Sequence, residues 1–411
     1  MNAEILSVGT ELLLGDIVNT NTQYIAKGLA EMGINVYRQS VVGDNRNRIK
    51  KSMEESLKRA DLLIITGGLG PTQDDLTREA AAEVLDKKLI LDQGILDGIQ
   101  GFFDRIKVPM EKSNSRQAYL PEGARAIENP NGTSPGILIE GEGKIVMMLP
   151  GPPRELQPMF DHHVKPYLRK YAQGIVKSKV LNIFGIGEST MEAMVEDLIE
   201  EQHNPSLAPY CMDQGLILRI TARALQEKAA DEMIRSLEQK VRQRLGDYIY
   251  GVDNESMEEA VVKVLKTKGY TVSIAESCTG GLAAAYITNV PGASEVFSLS
   301  MVTYSDDSKI KLLKVPGETI KDQGPVSKET AIAMAKGIRK IGETTLGLSI
   351  TGIAGPGGGT AETPVGLVHF ALAGNGKVMH EEKNFLGDRN RIRQFAAKHG
   401  LNLIRKAVNN Q

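Results

Sequence analysis

Ser277 and Cys278 are the two side chains of this sequence best placed to act as nucleophiles. They lie in the segment Ala275 to Gly281, between a β-like stretch and an alanine-rich helical pattern. A turn from strand to helix places such side chains at the carboxyl end of the strand, where α/β sheets bind their ligands. We also expect three backbone amides to face a developing oxyanion from the helix N-terminus. They belong to Thr279, Gly280 and Gly281.

A serine nucleophile needs a base to remove its proton. The chain has 6 histidines, and none of them lies in a glycine-rich motif. A lysine whose pKa is lowered by burial can replace histidine in this role. Lys309 follows a strand predicted at 302–304, but it also fits an ordinary surface lysine that opens a helix at 310–313. Cys278 would need less activation, although its position predicts a small buried hydrophobic side chain instead.

A second reactive pattern runs from Thr66 to Asp75, directly after the apolar stretch 62–65. Its glycines allow close backbone approach to phosphate oxygens, and its paired carboxylates can hold a divalent cation against a diphosphate. The glycines are Gly67, Gly68 and Gly70, and the acids are Asp74 and Asp75. The alternative is that Asp74 or Asp75 only caps the following helix.

Three further polar residues follow the first predicted strand, and parallel strands bring such ends to one edge of a sheet. Glu11 is a candidate metal ligand or water-activating group. Asn19 and Asn21 are candidate ligand-binding residues, with helix capping as the alternative for this pair. The pattern favours a functional site over a purely structural helix start.

The elements that position these residues form three blocks. We predict an α/β domain at 1–172, a small α+β connecting domain at 173–252 and a second α/β domain at 253–411. In the outer blocks, apolar strands alternate with helical patterns, which indicates βαβ units and mostly parallel sheets.

Composition excludes several classes of protein. A formal net charge of -2 gives no electrostatic argument for a nucleic-acid or membrane partner. The 2 cysteines are too few for a disulfide framework, and no apolar run approaches the ~20 residues that span a bilayer. We therefore expect a soluble cytoplasmic protein.

The motifs together resemble the full-length competence/damage-inducible protein family, CinA, across essentially the whole chain. The first block resembles the molybdopterin-binding (MoCF-like) fold through Val8 to Leu13, Asn19 to Asn21, Gly67 to Thr72, Asp74 to Thr77 and Leu149 to Pro153. The last block is similar to nicotinamide mononucleotide deamidases through Ala275 to Gly281, Tyr304 with Lys309, Thr351 to Thr360 and Gly387 to Arg389. The middle block resembles a KH-like domain, but Gly185 to Glu188 lacks the GXXG loop that clamps RNA. Nucleic-acid binding is therefore not expected.

For the last block, the resemblance implies a cofactor-free deamidase that converts nicotinamide mononucleotide to nicotinic acid mononucleotide and ammonia. Ser277 and Lys309 match the essential pair of the family, and Tyr304 is expected to orient Lys309. The remaining candidates for substrate binding are Glu276, Thr351, Gly355, Gly357, Gly358, Arg389 and Arg393.

For the first block, the resemblance implies an ADP-ribose pyrophosphatase that uses Mg, Mn or Co. The metal would be held by Glu11, Asp74 and Asp75, and a homodimer is expected. The alternative is an adaptor in competence or DNA damage, whose first domain only binds a molybdopterin-like ligand or a protein partner.

Overall fold

The structure, a computed structural model, confirms the α/β class predicted from the alternating pattern. The chain divides into two compact units, one of residues 1–177 with 221–234 and one of residues 178–220 with those from 235 onward. The described residues are 1–172, 174–212, 215–374 and 376–409.

The first unit is built on the elements of the N-terminal block. Its strands are β1 (Asn2–Val8), β2 (Asn35–Val42), β3 (Leu62–Thr66), β4 (Leu89–Leu91), β5 (Tyr119–Pro121), β6 (Arg125–Ile127), β7 (Gly136–Gly141) and β8 (Lys144–Leu149). Its α-helices are α1 (Thr10–Leu14), α2 (Thr20–Glu31), α3 (Arg46–Arg59), α4 (Thr77–Val84), α5 (Gln93–Ile106), α6 (Pro153–Met159) and α7 (Lys165–Leu168).

The first sheet has the strand order β2-β1-β3-β8-β7-β6. Strand β3 is apolar up to its last residue and all five of its residues are buried, as expected for a parallel strand covered on both faces. The first four strands of this order run parallel. The register places Val8 opposite Val42, Ser7 opposite Thr66 and Thr66 opposite Leu149, so the strands end at one edge within a residue of one another. The segments that follow these strands therefore meet at that edge.

The middle block forms a sheet of order β10-β11-β9-β12. Its strands are β9 (Ile175–Ile183), β10 (Ser206–Met212), β11 (Gly215–Ala224) and β12 (Ile249–Val252), and its helices are α8 (Glu188–Glu200) and α9 (Glu227–Leu245). Alternate residues of β11 are buried, which matches the alternation of its sequence.

The C-terminal block contains the remaining elements. Its strands are β13 (Val272–Glu276), β14 (Phe297–Val302), β15 (Leu346–Gly352), β16 (Leu367–Gly374) and β17 (Lys377–Asn384). Its α-helices are α10 (Met257–Lys268), α11 (Leu282–Thr288), α12 (Asp306–Leu313), α13 (Gly317–Gln323), α14 (Lys328–Gly342) and α15 (Arg389–Asn409).

This sheet has the order β14-β13-β15-β16-β17, and β13 pairs in parallel with both of its neighbours. Helices α10, α11 and α15 pack on one face through a large apolar cluster, while α13 and α14 pack on the other. Strand β14 ends at Val302, two residues before the strand end predicted from the sequence. Thr303 and Tyr304 therefore belong to the loop that leads into α12.

None of the helices in the described ranges is long and apolar enough to cross a membrane.

Candidate functional sites

Ser277 lies directly after β13, at the edge where the parallel strands of the C-terminal sheet end. Its amide donates to the carbonyl of Ile350 in β15, and the residue after β14, Thr303, donates to the carbonyl of Glu276. These two bonds fix the backbone on both sides of the serine. The Ser277 side chain is largely buried, with an exposed fraction of 7%.

Lys309 reaches Ser277 from the first turns of α12. Ser305 caps this helix, so Lys309 lies inside the helix and does not precede it. Its ammonium group donates to Ser277 Oγ at 3.3 Å and to the carbonyl oxygen of Tyr304 at 3.2 Å. Only 2% of Lys309 is exposed, so the interpretation as an ordinary surface lysine is wrong.

Burial sets the acid–base behaviour of Lys309. Removing an ammonium group from water disfavours its charged form, and this effect lowers the pKa of Lys309 below its ordinary value. The carboxylate of Asp306, 4.0 Å from Nζ, acts in the opposite direction. Asp306 is not among the residues predicted from the sequence, although its position three residues before Lys309 on one helix is a signal for such a pair. A lysine with a lowered pKa can accept the proton of the serine.

Cys278 is not available as a nucleophile. The thiol is buried, and burial raises its pKa to about 12. A thiol with this pKa stays protonated at neutral pH, and only the thiolate is reactive. The residue packs in the main apolar cluster of this block, which confirms the prediction of a small buried hydrophobic side chain.

The predicted oxyanion donors need correction. The amide of Gly281 donates to the Glu276 carboxylate, and the amide of Gly280 donates to the carbonyl of Ser277. Both amides are therefore used within the turn. The side chain of Thr279 is fully buried, and its backbone carbonyl accepts a hydrogen bond from Arg393 at 2.8 Å.

Two predicted substrate-binding residues have structural roles instead. The carboxylate of Glu276 is fully buried and accepts bonds from three amides at the start of α11, those of Gly281, Ala283 and Ala284. Thr351 is also fully buried and donates to the carbonyl of Pro325 at 2.8 Å. These contacts stabilise the turn and the end of β15, and they leave neither side chain facing a substrate.

Arg389 and Arg393 lie in the first turns of α15, and Arg393 contacts the Ser277 turn through the carbonyl of Thr279. Arg389 donates to the carbonyl of Gly355 at 2.6 Å and to the Tyr304 hydroxyl at 3.3 Å. Gly357 and Gly358, in the same loop as Gly355, are exposed. The Tyr304 side chain is 62% exposed, so Tyr304 contacts Lys309 through its backbone carbonyl and not through its phenol.

The N-terminal block contains a cleft of about 530 Å³ at the edge where its parallel strands end. Its wall includes the predicted residues Glu11, Gly67, Gly68, Gly70, Asp74 and Asp75. Both Gly67 and Gly68 have positive φ angles, 92° and 68°. The Gly67 amide donates to the carbonyl of Leu149, so this glycine shapes the loop and does not offer its amide to a ligand.

The acids of this cleft are not helix caps, because α4 is capped by Leu76 without a side-chain bond. Asp75 accepts bonds from the amide and hydroxyl of Thr72, at 2.9 and 2.5 Å. Hydrogen bonding from Thr72 lowers the pKa of Asp74, which keeps this exposed carboxylate ionised.

The chemistry of the cleft is acidic. Among the described residues, five carboxylates line it, against one cationic side chain, Arg154. The five are Glu11, Asp44, Asp74, Asp75 and Glu155. Within the described ranges, no group of three or more His, Cys, Asp or Glu side chains could hold a metal ion. The described carboxylates of the cleft therefore do not form a metal cage on their own.

Asn19 and Asn21 are structural, which corrects the prediction that they bind a ligand. Asn19 caps α2 by accepting a bond from Thr22, and it donates to Ser7 at 3.0 Å. Asn21 is buried and donates to the carbonyl of Gly151 at 2.6 Å. Both side chains join α2 to the strand ends behind the cleft.

Known proteins match this chain over its full length. A CinA-like protein of Dictyoglomus turgidum is 52% identical over 410 residues, which cover 100% of both chains. The chain belongs to the CinA family. Another CinA-like protein, from Kosmotoga olearia, is 52% identical over 408 residues and 99% of both chains. A solved structure of CinA from Thermoplasma acidophilum covers 40% of this chain and 96% of its own, with 35% identity and a TM-score of 0.38.

Three family models match consecutive parts of this CinA family member. The probable molybdopterin binding domain matches residues 4–170, the damage-inducible protein CinA KH domain residues 178–251, and the CinA C-terminal domain residues 254–408. The resemblance to CinA and the three kinds of domain are thereby confirmed. The Ser277–Lys309 pair lies in the CinA C-terminal domain, and the acidic cleft lies in the molybdopterin-binding-type domain.

Proposed function

We propose that the C-terminal domain is a nicotinamide mononucleotide deamidase with Ser277 as nucleophile and Lys309 as base. The observation that carries this proposal is the buried hydrogen bond of 3.3 Å between Lys309 Nζ and Ser277 Oγ. A hydrogen bond to the serine, burial and a lowered lysine pKa are the conditions under which a lysine activates a serine. The choice of substrate rests on the resemblance to nicotinamide mononucleotide deamidases.

In the proposed reaction, neutral Lys309 takes the Ser277 proton while Oγ attacks the carboxamide carbon. The tetrahedral intermediate collapses when its C–N bond breaks, and Lys309 returns the proton to the departing ammonia. Water then attacks the acyl ester, again with Lys309 as base, and frees nicotinic acid mononucleotide and Ser277. One water is consumed and one ammonia is released.

Arg389 and Arg393 are the proposed partners of the 5′-phosphate, together with the loop that contains Gly355, Gly357 and Gly358. A guanidinium group can contact a phosphate through two parallel hydrogen bonds. The contact between Arg389 and Gly355 supports this assignment, because it joins the arginine to the loop at 2.6 Å.

Ammonia release from nicotinamide mononucleotide by the purified full-length chain tests the proposal. We expect release at the same rate with and without a chelator, because the serine and lysine need no metal. Release that stops on chelation, or no release at all, would contradict it.

The pH dependence of ammonia release tests the base. Since only neutral Lys309 accepts a proton, activity should rise with pH, and the midpoint should lie below the ordinary lysine value of 10.5. Asp306→Asn removes the carboxylate that keeps the lysine charged, so the rise should move to lower pH by up to about one unit.

Asp307→Asn is the matched control for this shift. Asp307 is the next residue of α12, and its carboxylate pairs with Lys311 at 3.4 Å rather than with Lys309. Its profile should coincide with that of the unmodified protein. Equal shifts in both variants would show that helix charge in general, and not the Asp306–Lys309 pair, sets the midpoint.

We further propose that the N-terminal cleft hydrolyses ADP-ribose to AMP and ribose 5-phosphate. The supporting observation is a cleft of about 530 Å³ that combines the loop of Gly67, Gly68 and Gly70 with several carboxylates. This volume suits a nucleotide-sized ligand. Self-association into a homodimer stays a prediction from the resemblance.

The charge of this cleft is compatible with a divalent cation that binds together with the diphosphate of the ligand. An anionic ligand is repelled by a wall with five carboxylates and one arginine unless cations offset the charge. Mg²⁺ commonly binds through one or two carboxylates together with substrate phosphates, so we propose that one or two of the candidate acids Glu11, Asp74 and Asp75 would hold it. Such a cation would polarise the phosphoryl oxygens.

Asp74→Asn separates the two activities. We expect AMP release from ADP-ribose to fall by at least about 100-fold, because the variant loses an ionised carboxylate of the cleft. Ammonia release from nicotinamide mononucleotide should stay unchanged in the same preparation, which serves as the internal control. Asp97→Asn, an acid of α5 outside the cleft, should leave both activities intact.

The adaptor alternative gives a different result in the same assay. A domain that only binds a ligand or a protein partner would release no AMP from ADP-ribose with any of the metals Mg, Mn or Co. Persistence of AMP release in Asp74→Asn would instead remove the assignment of Asp74.

A further inference from the structure

Phe102 and Phe103 form an aromatic wall of the N-terminal cleft. Both residues lie on α5 and line the cleft together with the glycine loop and the carboxylates. Their ring centroids are 5.7 Å apart, with an interplanar angle of 86°. Neither side chain is fully buried, so part of each ring remains accessible.

These two rings have no evident role in the hydrophobic cores. The chain contains 8 phenylalanines, and the other six pack in or against the apolar clusters that the described residues form. Helix α5 itself buries only one residue fully, Ile99. Phe102 and Phe103 thus line a cleft and lie outside these clusters. Exposing two large apolar side chains to water costs more free energy than exposing polar ones, so an exposed aromatic pair indicates a binding surface.

We infer that Phe102 and Phe103 form a platform for the aromatic base of a nucleotide, whose phosphate end lies toward Gly68, Gly70 and the carboxylates. Aromatic side chains bind bases by stacking or by edge-to-face contact, without need for hydrogen bonds. The inference deepens the proposed function of this cleft, because it names the part of the ligand that gives specificity. A diphosphate without a base would miss this contact.

Binding of AMP and of inorganic pyrophosphate, both measured by calorimetry with Mg²⁺ on the full-length chain, tests the inference. Phe102→Leu and Phe103→Leu keep an apolar side chain but remove the ring. We expect each to weaken AMP binding about tenfold and to leave pyrophosphate binding unchanged.

Phe102→Trp keeps a stacking surface and should retain AMP binding. Because the chain has no tryptophan, the new indole is also a single fluorescent reporter. Its emission should change on addition of AMP and not on addition of pyrophosphate. Unchanged melting temperatures in all three variants would show that the substitutions do not act through stability.

The inference is overturned if the leucine variants bind AMP as the unmodified chain does, if they weaken pyrophosphate to the same degree, or if the unmodified chain does not bind AMP. These outcomes are distinct from a failure of the hydrolase proposal. A domain that binds AMP through the two rings but releases none from ADP-ribose would retain the platform and lose the activity.

Discussion

Ser277→Ala should lower ammonia release from nicotinamide mononucleotide by at least about 10³-fold. Its hydroxyl is the group at the end of β13 that Lys309 can activate, at 3.3 Å from Nζ. The adjacent Cys278 cannot replace it, because burial holds the pKa of that thiol at about 12. Cys278→Ala should accordingly retain activity within a few-fold, which makes it a control at the neighbouring position.

Lys309→Met should lower ammonia release by the same factor. Lys309→Arg tests whether the lysine is needed as a base or only for its positive charge. Arginine keeps the positive charge but does not give up its proton in proteins, so it cannot act as a base. If charge alone mattered, Lys309→Arg would retain substantial activity. Lys311→Met is the matched control, since Lys311 lies on the same helix with its side chain 74% exposed.

The double variant Ser277→Ala with Lys309→Met tests whether the two residues act as one catalytic unit. Residues that act as one unit show non-additive losses, so the double variant should be about as slow as either single variant. Multiplied losses would mean that Ser277 and Lys309 contribute separately. Ammonia release above about a tenth of the normal rate in Ser277→Ala would remove the serine from the mechanism.

The position of Ser277 at a strand end follows from a local sequence signal. A β-like stretch followed by Ser277 and two glycines places the serine at a strand end, and the structure has it there. The sequence alone did not distinguish a base from a surface lysine at Lys309, since the helix was expected to begin after this residue. The helix in fact begins at Asp306, and Lys309 lies buried within it, in contact with Ser277 and the carbonyl of Tyr304. Burial of this kind depends on tertiary contacts that spacing does not reveal.

The role of Glu276 shows how a small error in a strand boundary changes an interpretation. The β-like stretch was expected to end before Ala275, but strand β13 continues through Glu276, whose carboxylate accepts bonds from amides at the start of α11. The same bonds occupy the amide of Gly281, which had been expected to hold an oxyanion. Side-chain bonds to backbone amides compete with ligands, and sequence patterns do not show where they form.

The walls of the N-terminal cleft were predictable only in part. The glycine loop and Glu11 follow parallel strands, so their meeting at one edge follows from the βαβ pattern. Phe102, Phe103 and Arg154 come from α5 and from the segment after β8, and no spacing relates them to the loop. Their convergence is a product of the folded chain.

Gly67→Ala should damage the N-terminal domain severely and spare the deamidase. Gly67 has a φ angle of 92°, which costs a residue with a side chain about 1 kcal/mol. A Cβ at this position would also lie 2.2 Å from the carbonyl oxygen of Val8. Strand β1 cannot move away easily, because it pairs with β2 on one side and β3 on the other. We expect the free energy of unfolding to fall by about 3 kcal/mol or more, with loss of AMP release.

Gly143→Ala separates the two causes of this damage. Gly143 lies in the turn between β7 and β8 of the same sheet with a φ angle of 74°, and nothing lies within 4 Å of its added Cβ. This variant should lose only about 1 kcal/mol and keep AMP release. Thermal unfolding of the full-length variants, followed together with both activities, gives the comparison. Equal destabilisation of the two variants would show that the backbone angle, and not the overlap with Val8, makes Gly67 necessary to the loop.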